Sequence, residues 1–238
     1  MKTYGLIGRN ISYSFSRNYF NNKFKNENIL NFQYINFDID NLAELNNIFN
    51  INNLGFNVTI PYKECIIQYL DSLDFHADKI GAVNTIKIEN EKKIGFNTDW
   101  IGFKKSLQPL LKPHHTKALI LGTGGASKAV IYALEQLQIE SLIVSRNGKK
   151  SYEDLSKEII QNHTIIINCT PVGTFPNVNS SPNIPYNYIT ENHLAYDLIY
   201  NPAETLFLKT CKEKGAVIKN GLEMLEIQAE ESWKIWNI

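Results

Sequence analysis

Cysteine is scarce. The three in 238 residues, Cys65, Cys169 and Cys211, are odd in number and far apart, which argues against a disulfide framework, and no metal-ligand spacing is present. Charge of one sign is also missing: 24 Lys plus Arg balance 24 Asp plus Glu. That removes the basic footprint expected of a nucleic-acid or anionic-membrane partner. No apolar run approaches a bilayer span. The first residues enter an apolar strand pattern directly, without the basic-then-apolar segment of a secretory leader. No internal repeat is found, and the asparagine bias of residues 1–50 is compositional. The expectation is a soluble, cytoplasmic globular protein without a metal, long enough for one large or two modest domains.

Alternating strands and helices predict an α/β fold. Strands are expected at Thr3–Gly8, Phe32–Phe37, from Asn57, and over Gly81–Ile88, with a hairpin turn at Asn90–Lys93. Helices are expected from Asn18 to Phe24, around Leu42–Phe49, from Lys63 to Leu73, and from a cap at Thr98 or Asp99. Pro109, Pro113, His114 and His115 form a breaker-rich approach to a second domain, both histidines being read as exposed linker residues. Beyond it, Thr116–Leu121, Ile139–Val144, Ile165–Asn168, Ala195–Tyr200 and Ala216–Lys219 are short apolar runs typical of buried parallel strands, each ending in a turn-rich loop. That is a Rossmann-like plan. The proline-bearing stretch Asn177–Asn187 is expected to be a mobile loop.

Two segments suggest chemistry. In Asn57-Val58-Thr59-Ile60-Pro61-Tyr62-Lys63 a strand pattern breaks at proline, with Asn57 and Thr59 on one face. Lys63 then falls near a strand end, where α/β proteins place ligands; alone it would be an ordinary solvated lysine. The second segment, Gly122-Thr123-Gly124-Gly125-Ala126-Ser127, joins a strand to a helix. That is the setting of a dinucleotide loop, in which glycines let backbone approach a pyrophosphate at a helix N-terminus. Ser127 stands where the pattern has a third glycine. After the next strand comes Ser145-Arg146-Asn147-Gly148-Lys149-Lys150, with no carboxylate for a ribose 2′-hydroxyl and with Arg146 suited to a 2′-phosphate. NADP is the cofactor expected.

These stretches, with Ser14-Phe15-Ser16, Gly81-Ala82-Val83-Asn84-Thr85, Asn97-Thr98-Asp99, Asn168-Cys169-Thr170-Pro171-Val172-Gly173 and Asn220-Gly221-Leu222-Glu223-Met224-Leu225 with Gln228-Ala229, resemble the shikimate dehydrogenase family over essentially the full chain. The resemblance implies a three-layer α/β substrate domain (1–103) joined by the C-terminal helix (222–238). It also implies a Rossmann-like NADP-binding domain (104–221), with the active site in the interdomain cleft. The implied activity is reversible NADPH-dependent reduction of 3-dehydroshikimate to shikimate in aromatic amino-acid biosynthesis. Lys63 would be proton donor and acceptor, oriented by Asp99. Ser14, Ser16 and Tyr200 would meet the substrate carboxylate, and Asn57, Thr59, Asn84, Asp99 and Gln228 its hydroxyls and carbonyl. Gly122, Gly124, Gly125, Ala126, Ser127 and Arg146 would bind the cofactor, with Asn168, Thr170, Gly173, Leu198 and Gly221 toward its nicotinamide. Trp233 and Trp236 read as packing residues.

The chain departs from the family at Tyr13, Arg17 and Thr174, where histidine, proline and methionine are usual, and it is somewhat short. Two alternatives stay open: an NAD-using quinate/shikimate dehydrogenase, and a catalytically silent nucleotide-binding sensor. Oligomeric state is not legible.

Overall fold

A strand whose every position is apolar must be covered on both faces, because its successive side chains point to opposite sides. Both sheets of the molecule meet that demand with helices. The computed structural model describes residues 2–12, 14–49 and 53–237, and the chain divides into two compact units, Met1–Thr98 with Ala229–Ile238, and Asp99–Gln228.

The first unit runs β1 (Lys2–Gly8), α1 (Phe15–Asn26), β2 (Phe32–Asp38), α2 (Leu45–Phe49), β3 (Asn53–Val58), β4 (Ser72–Leu73), α3 (Phe75–Ile80), β5 (Thr85–Glu89) and β6 (Lys92–Phe96). The sheet order is β2-β1-β3-β5-β6-β4. β1 lies parallel to both β2 and β3, while β5 pairs antiparallel with β3 and β6. Asn90 and Glu91 turn the β5–β6 hairpin with φ of 50° and 65°, the left-handed pair that a tight hairpin needs.

The second unit runs α4 (Asp99–Leu107), β7 (Lys117–Leu121), α5 (Gly125–Gln136), β8 (Glu140–Val144), α6 (Lys157–Asn162), β9 (Ile165–Asn168), β10 (Leu194–Asp197), α7 (Leu206–Glu213), β11 (Val217–Lys219) and α8 (Leu222–Trp236). The last turns of α8, from Ala229, belong to the first unit. The sheet order is β8-β7-β9-β10-β11, and every pair is parallel. The chain leaves β7 for β8 on one side and returns to β9 on the other. The carboxyl ends of β7 and β9 therefore flank a topological switch point, the place where such sheets take ligands.

Each unit is three layers thick. In the second, Ala118 and Ile120 of β7 face Phe103, Val130 and Met224, and Leu119 and Leu121 face Ile160 and Phe207. In the first, Ile7, Phe56 and Val58 pack with Leu45, Ile48 and Ala77, and Tyr4, Leu6 and Tyr34 pack with Phe20, Phe24 and Trp236. Trp236 stacks on Tyr4 at 4.5 Å between centroids, and its indole N–H donates to Ile86 O at 3.0 Å. Trp233 packs edge-on to the same Tyr4 ring. Both tryptophans are packing residues of the first unit.

Several expectations need correction. No helix covers Lys63–Leu73; a 3-10 turn over Cys65–Tyr69 and the short β4 stand there instead. The strand expected from Gly81 begins at Thr85, because α3 ends in a left-handed cap at Gly81. β8 is an edge strand, with only Val144 buried. His115 is 6% exposed and no linker: its Nδ1 accepts from Lys112 N at 3.0 Å, and His114 and His115 both approach Asn192 O. Burial holds the His115 pKa below its ordinary value. Ile184, inside the loop expected to be mobile, is buried in the core. The units divide at 98/99 and 228/229 rather than at 103/104 and 221/222, because α4 packs on the second sheet through Phe103 and Leu107.

Candidate active site

In the first unit, polar side chains gather at the ends of β3 and β5. Tyr34, fully enclosed, donates its hydroxyl to Asn57 Oδ1 at 2.7 Å and is also bonded to Ser16. Asn57 Nδ2 reaches Asn84 O, Thr85 Oγ1 and Ser232 Oγ at 3.2, 3.2 and 3.0 Å. Thr98 N donates to Asn84 Oδ1 at 2.7 Å, and Asn84 Nδ2 donates to Thr98 Oγ1 at 3.0 Å. The hydroxyls of Thr85 and Ser232 lie 2.8 Å apart. These groups are buried, and burial without partners would cost each of them about 1–3 kcal/mol. The network therefore sets one side-chain arrangement beneath the strand ends.

The remaining candidates of this unit stand around that floor. Ser14 caps α1 by accepting from Arg17 N at 3.3 Å, and Ser16 follows in the first turn. Thr59 lies one residue past β3, its methyl group beside Gly8, where a Cβ would come within 2.6 Å of it. Lys63 is half-buried, and its carbonyl accepts from Val83 N at 2.7 Å, which draws it next to Asn84.

Asp99 is the first residue of α4 and is 5% exposed. A carboxylate there suits the positive end of the helix dipole. Gly102 brings α4 against α8, since a Cβ would sit 2.6 Å from Met224 O and 3.1 Å from Gln228 Cβ. Gln228 is buried, with Nε2 donating to Leu225 O at 3.0 Å. Lys63 and Asp99 belong to different units.

The glycine loop follows β7 at the switch point. Gly122 has φ of 104°, and a Cβ on it would meet Thr170 Cγ2 at 2.9 Å. Gly124 caps α5 without a side-chain bond and faces open space, with nothing within 4 Å of an added Cβ. Gly125 and Ala126 form the first turn of α5. Ser127 shapes the turn from within: its backbone N–H and its hydroxyl both donate to Gly124 O, at 2.9 and 2.6 Å. Gly122 N donates to Val144 O at 2.8 Å, so the exposed Arg146 loop begins beside the glycines. Asn168 is fully buried; its Oδ1 accepts from Thr170 N and Oγ1 at 3.0 and 2.6 Å. Gly173 has φ of 98°. Gly221 lies against the Leu198 carbonyl, leaving no room for a side chain. Tyr200 is half-buried beyond this turn, and burial raises its pKa.

A family model described as the shikimate dehydrogenase substrate binding domain matches residues 6–86. A curated shikimate dehydrogenase (NADP(+)) of Clostridium botulinum is 42% identical over 250 residues, covering 99% of this chain and 96% of its own. The chain belongs to the shikimate dehydrogenase family. A second such enzyme, from Methanococcus maripaludis, is 43% identical over 259 residues, covering 99% and 91% of the two chains. Among solved structures, the shikimate 5-dehydrogenase of Thermus thermophilus in complex with NADP(H) and shikimate aligns with a TM-score of 0.88. It is 30% identical and covers 99% of this chain and 93% of that one.

Within the family, Arg17 is an informative departure. Its N–H supplies the Ser14 cap bond that the usual proline could not give, and its guanidinium donates to Ser12 O at 3.2 Å. Thr174 donates weakly to Asn201 O at 3.4 Å. Tyr13 lies outside the described residues. Sequence reasoning missed two groups. Ser232 shows only as one polar position on an otherwise packed helix face. Asp197 shows only as an acid ending an apolar run. Among the described residues no helix is long and apolar enough to cross a membrane, and no group of three His, Cys, Asp or Glu could hold a metal ion.

Proposed function

We propose that the chain catalyses the reversible NADPH-dependent reduction of 3-dehydroshikimate to shikimate in aromatic amino-acid biosynthesis. What carries the reading is the full-length likeness to NADP(+) shikimate dehydrogenases, in a chain that retains a lysine, a carboxylate and a dinucleotide loop. The second unit fits the cofactor: Gly124 leaves open space at the N-terminus of α5, where free N–H groups favour a pyrophosphate. Arg146, exposed and without an acid in residues 145–150, suits a 2′-phosphate.

The bound cofactor supplies hydride to the substrate ketone carbon. Lys63 Nζ donates a proton to the oxygen on which negative charge develops, and in reverse accepts the alcohol proton. Asp99 accepts from a ring hydroxyl. Ser14, Ser16 and Tyr200 take the substrate carboxylate. Thr59, Gln228 and the floor formed by Asn57 and Asn84 discriminate hydroxyls, because a missing substrate hydroxyl leaves a buried partner unpaired.

The experiment is initial-rate nicotinamide reduction with shikimate and NADP, repeated with NAD and with quinate. Strong rates with NADP and shikimate alone support the reading. Comparable rates with NAD or quinate shift it to a broader-specificity dehydrogenase. Folded protein that binds nucleotide but turns over no pair overturns it in favour of a sensor.

A further inference from the structure

The strand ends of the second sheet form one continuous row. Leu121, Asn168 and Asp197 are register partners on β7, β9 and β10. The residue after each is tied to its neighbour: Cys169 N donates to Leu121 O at 2.9 Å and Leu198 N to Asn168 O at 3.0 Å. Asp197 is fully buried in this row. Its Oδ1 accepts from Asn168 Nδ2 and from Ile199 N, both at 3.0 Å, and its Oδ2 accepts from Thr205 Oγ1 at 2.6 Å.

We infer that Asp197 is a positioning residue that orders the nicotinamide side of the cofactor site, acting through Asn168 and the Leu198–Ile199 turn. The inference rests on the reading of the site given above. Its core is an orientation argument. A carboxylate accepts only, so the Asn168 amide must point its NH2 toward Asp197 and its oxygen toward Thr170. Thr170 N–H and hydroxyl both need that oxygen. Thr170 in turn lies against Gly122, with its Cγ2 2.9 Å from where a Cβ would stand. The same carboxylate ties down the turn carrying Leu198, against which Gly221 packs, and the Thr205 cap of α7. A hub made only for stability would be better apolar, since an ionised group out of water is costly unless fully bonded. Burial indeed pushes the Asp197 carboxyl up to about 6.

Asp197→Asn keeps the volume but presents an amide to three donors, and it frees Asn168 to flip. The test compares binding of NADP with binding of adenosine 2′,5′-bisphosphate, which lacks the nicotinamide half, by calorimetry on the full chain. The expected result is an NADP Kd raised about tenfold with the bisphosphate Kd changed less than about twofold. Thr205→Val should give the same selective loss and Thr205→Ser should restore NADP binding, which keeps the test decisive if Asp197→Asn does not fold. Equal weakening of both ligands, or no weakening of either, overturns the role of Asp197. Wild-type protein that binds neither ligand overturns instead the reading of the site on which it stands.

Discussion

In the first unit the strand-end loops rest on Tyr34, Asn57, Asn84, Thr85, Thr98 and Ser232, all neutral and several with more than one partner for the same atom. In the second the loops after β9 and β10 rest on one carboxylate, Asp197, each of whose bonds goes to a different segment. The neutral network is redundant: when one hydroxyl is lost, Asn57 Nδ2 and Thr85 Oγ1 still find others. The carboxylate is not, because no neighbour can replace an acceptor that serves three donors. The difference fits the proposed ligands. A substrate of several neutral hydroxyls is matched by groups that can exchange partners, whereas a long cofactor needs loops held at set positions. Substitutions in the first unit should therefore change turnover or tolerate repair, and those in the second should change cofactor affinity.

The largest effect tests that division directly. Lys63→Ala should lower kcat by about 10²–10⁴-fold, the usual contribution of a positioned proton donor, with much smaller changes in KM for either substrate. Steady-state kinetics decide it. An effect confined to the KM for cofactor would place Lys63 in the wrong half of the comparison.

Next in size is a pH effect peculiar to the charged hub. The folded pKa of Asp197 is raised to about 6 by desolvation, against the opposing bonds from Thr205, Ile199 and Asn168. A raised carboxyl favours the folded state while protonated, so its contribution is complete below the unfolded pKa near 4 and is lost as pH rises through 6. The loss is about 3 kcal/mol. Cys169, Cys211 and Tyr186, which feel the same charge, are all pushed up far above this window and stay neutral. In denaturant titrations from pH 4 to 7, Asp197→Asn should show a correspondingly shallower fall in stability than wild type. Parallel curves would mean that Asp197 is not the titrating group. No such slope is expected from any member of the neutral network.

Much of this architecture was legible in the chain because its cues are local. Each of the apolar runs 118–121, 165–167 and 194–196 ends in glycine, asparagine or aspartate, and a glycine loop opens α5. Where the cues misled, competing patterns explain it. Ile66, Ile67, Leu70 and Leu73 have helical spacing, yet Leu73 pairs with Gly95 in β4 and ends any helix before it. α3 is six residues long, too short for periodicity, and only its Asp74 cap and terminal Gly81 mark it. His115 looked like linker because its partner, Asn192, is remote in sequence. The candidate site was legible as motifs, but the bonds that organise it were not. Asn57 to Ser232 spans 175 positions and Asn168 to Asp197 spans 29, and no local pattern encodes such pairings.

Asn57→Leu should come third, since it removes the centre of the network while keeping the branched shape of the side chain. Tyr34 loses its Asn57 acceptor and is left with Ser16, and Thr85 and Ser232 lose a donor. The expected cost is about 3 kcal/mol, read by fluorescence-monitored denaturation, for which Trp233 and Trp236 report on the first unit. An unchanged midpoint would show that the network is not what holds these strand ends.

Ser232→Ala is the smallest effect and the sharpest probe of redundancy. The hydroxyl contacts Asn57, Thr85 and Thr98 at 3.0, 2.8 and 3.2 Å. Each of those groups keeps another partner after its loss: Asn57 Nδ2 retains Asn84 O, and Thr85 and Thr98 retain Asn84 Oδ1. No buried donor is orphaned, so the cost should stay near 1 kcal/mol, the net worth of an ordinary hydrogen bond, with cofactor affinity unchanged. A loss as large as that of Asn57→Leu would mean that the neutral network, too, depends on a single member, and the contrast with Asp197 would collapse. A loss near 1 kcal/mol beside a tenfold cofactor defect in Asp197→Asn would separate shared neutral bonding from a single charged acceptor by measurement alone.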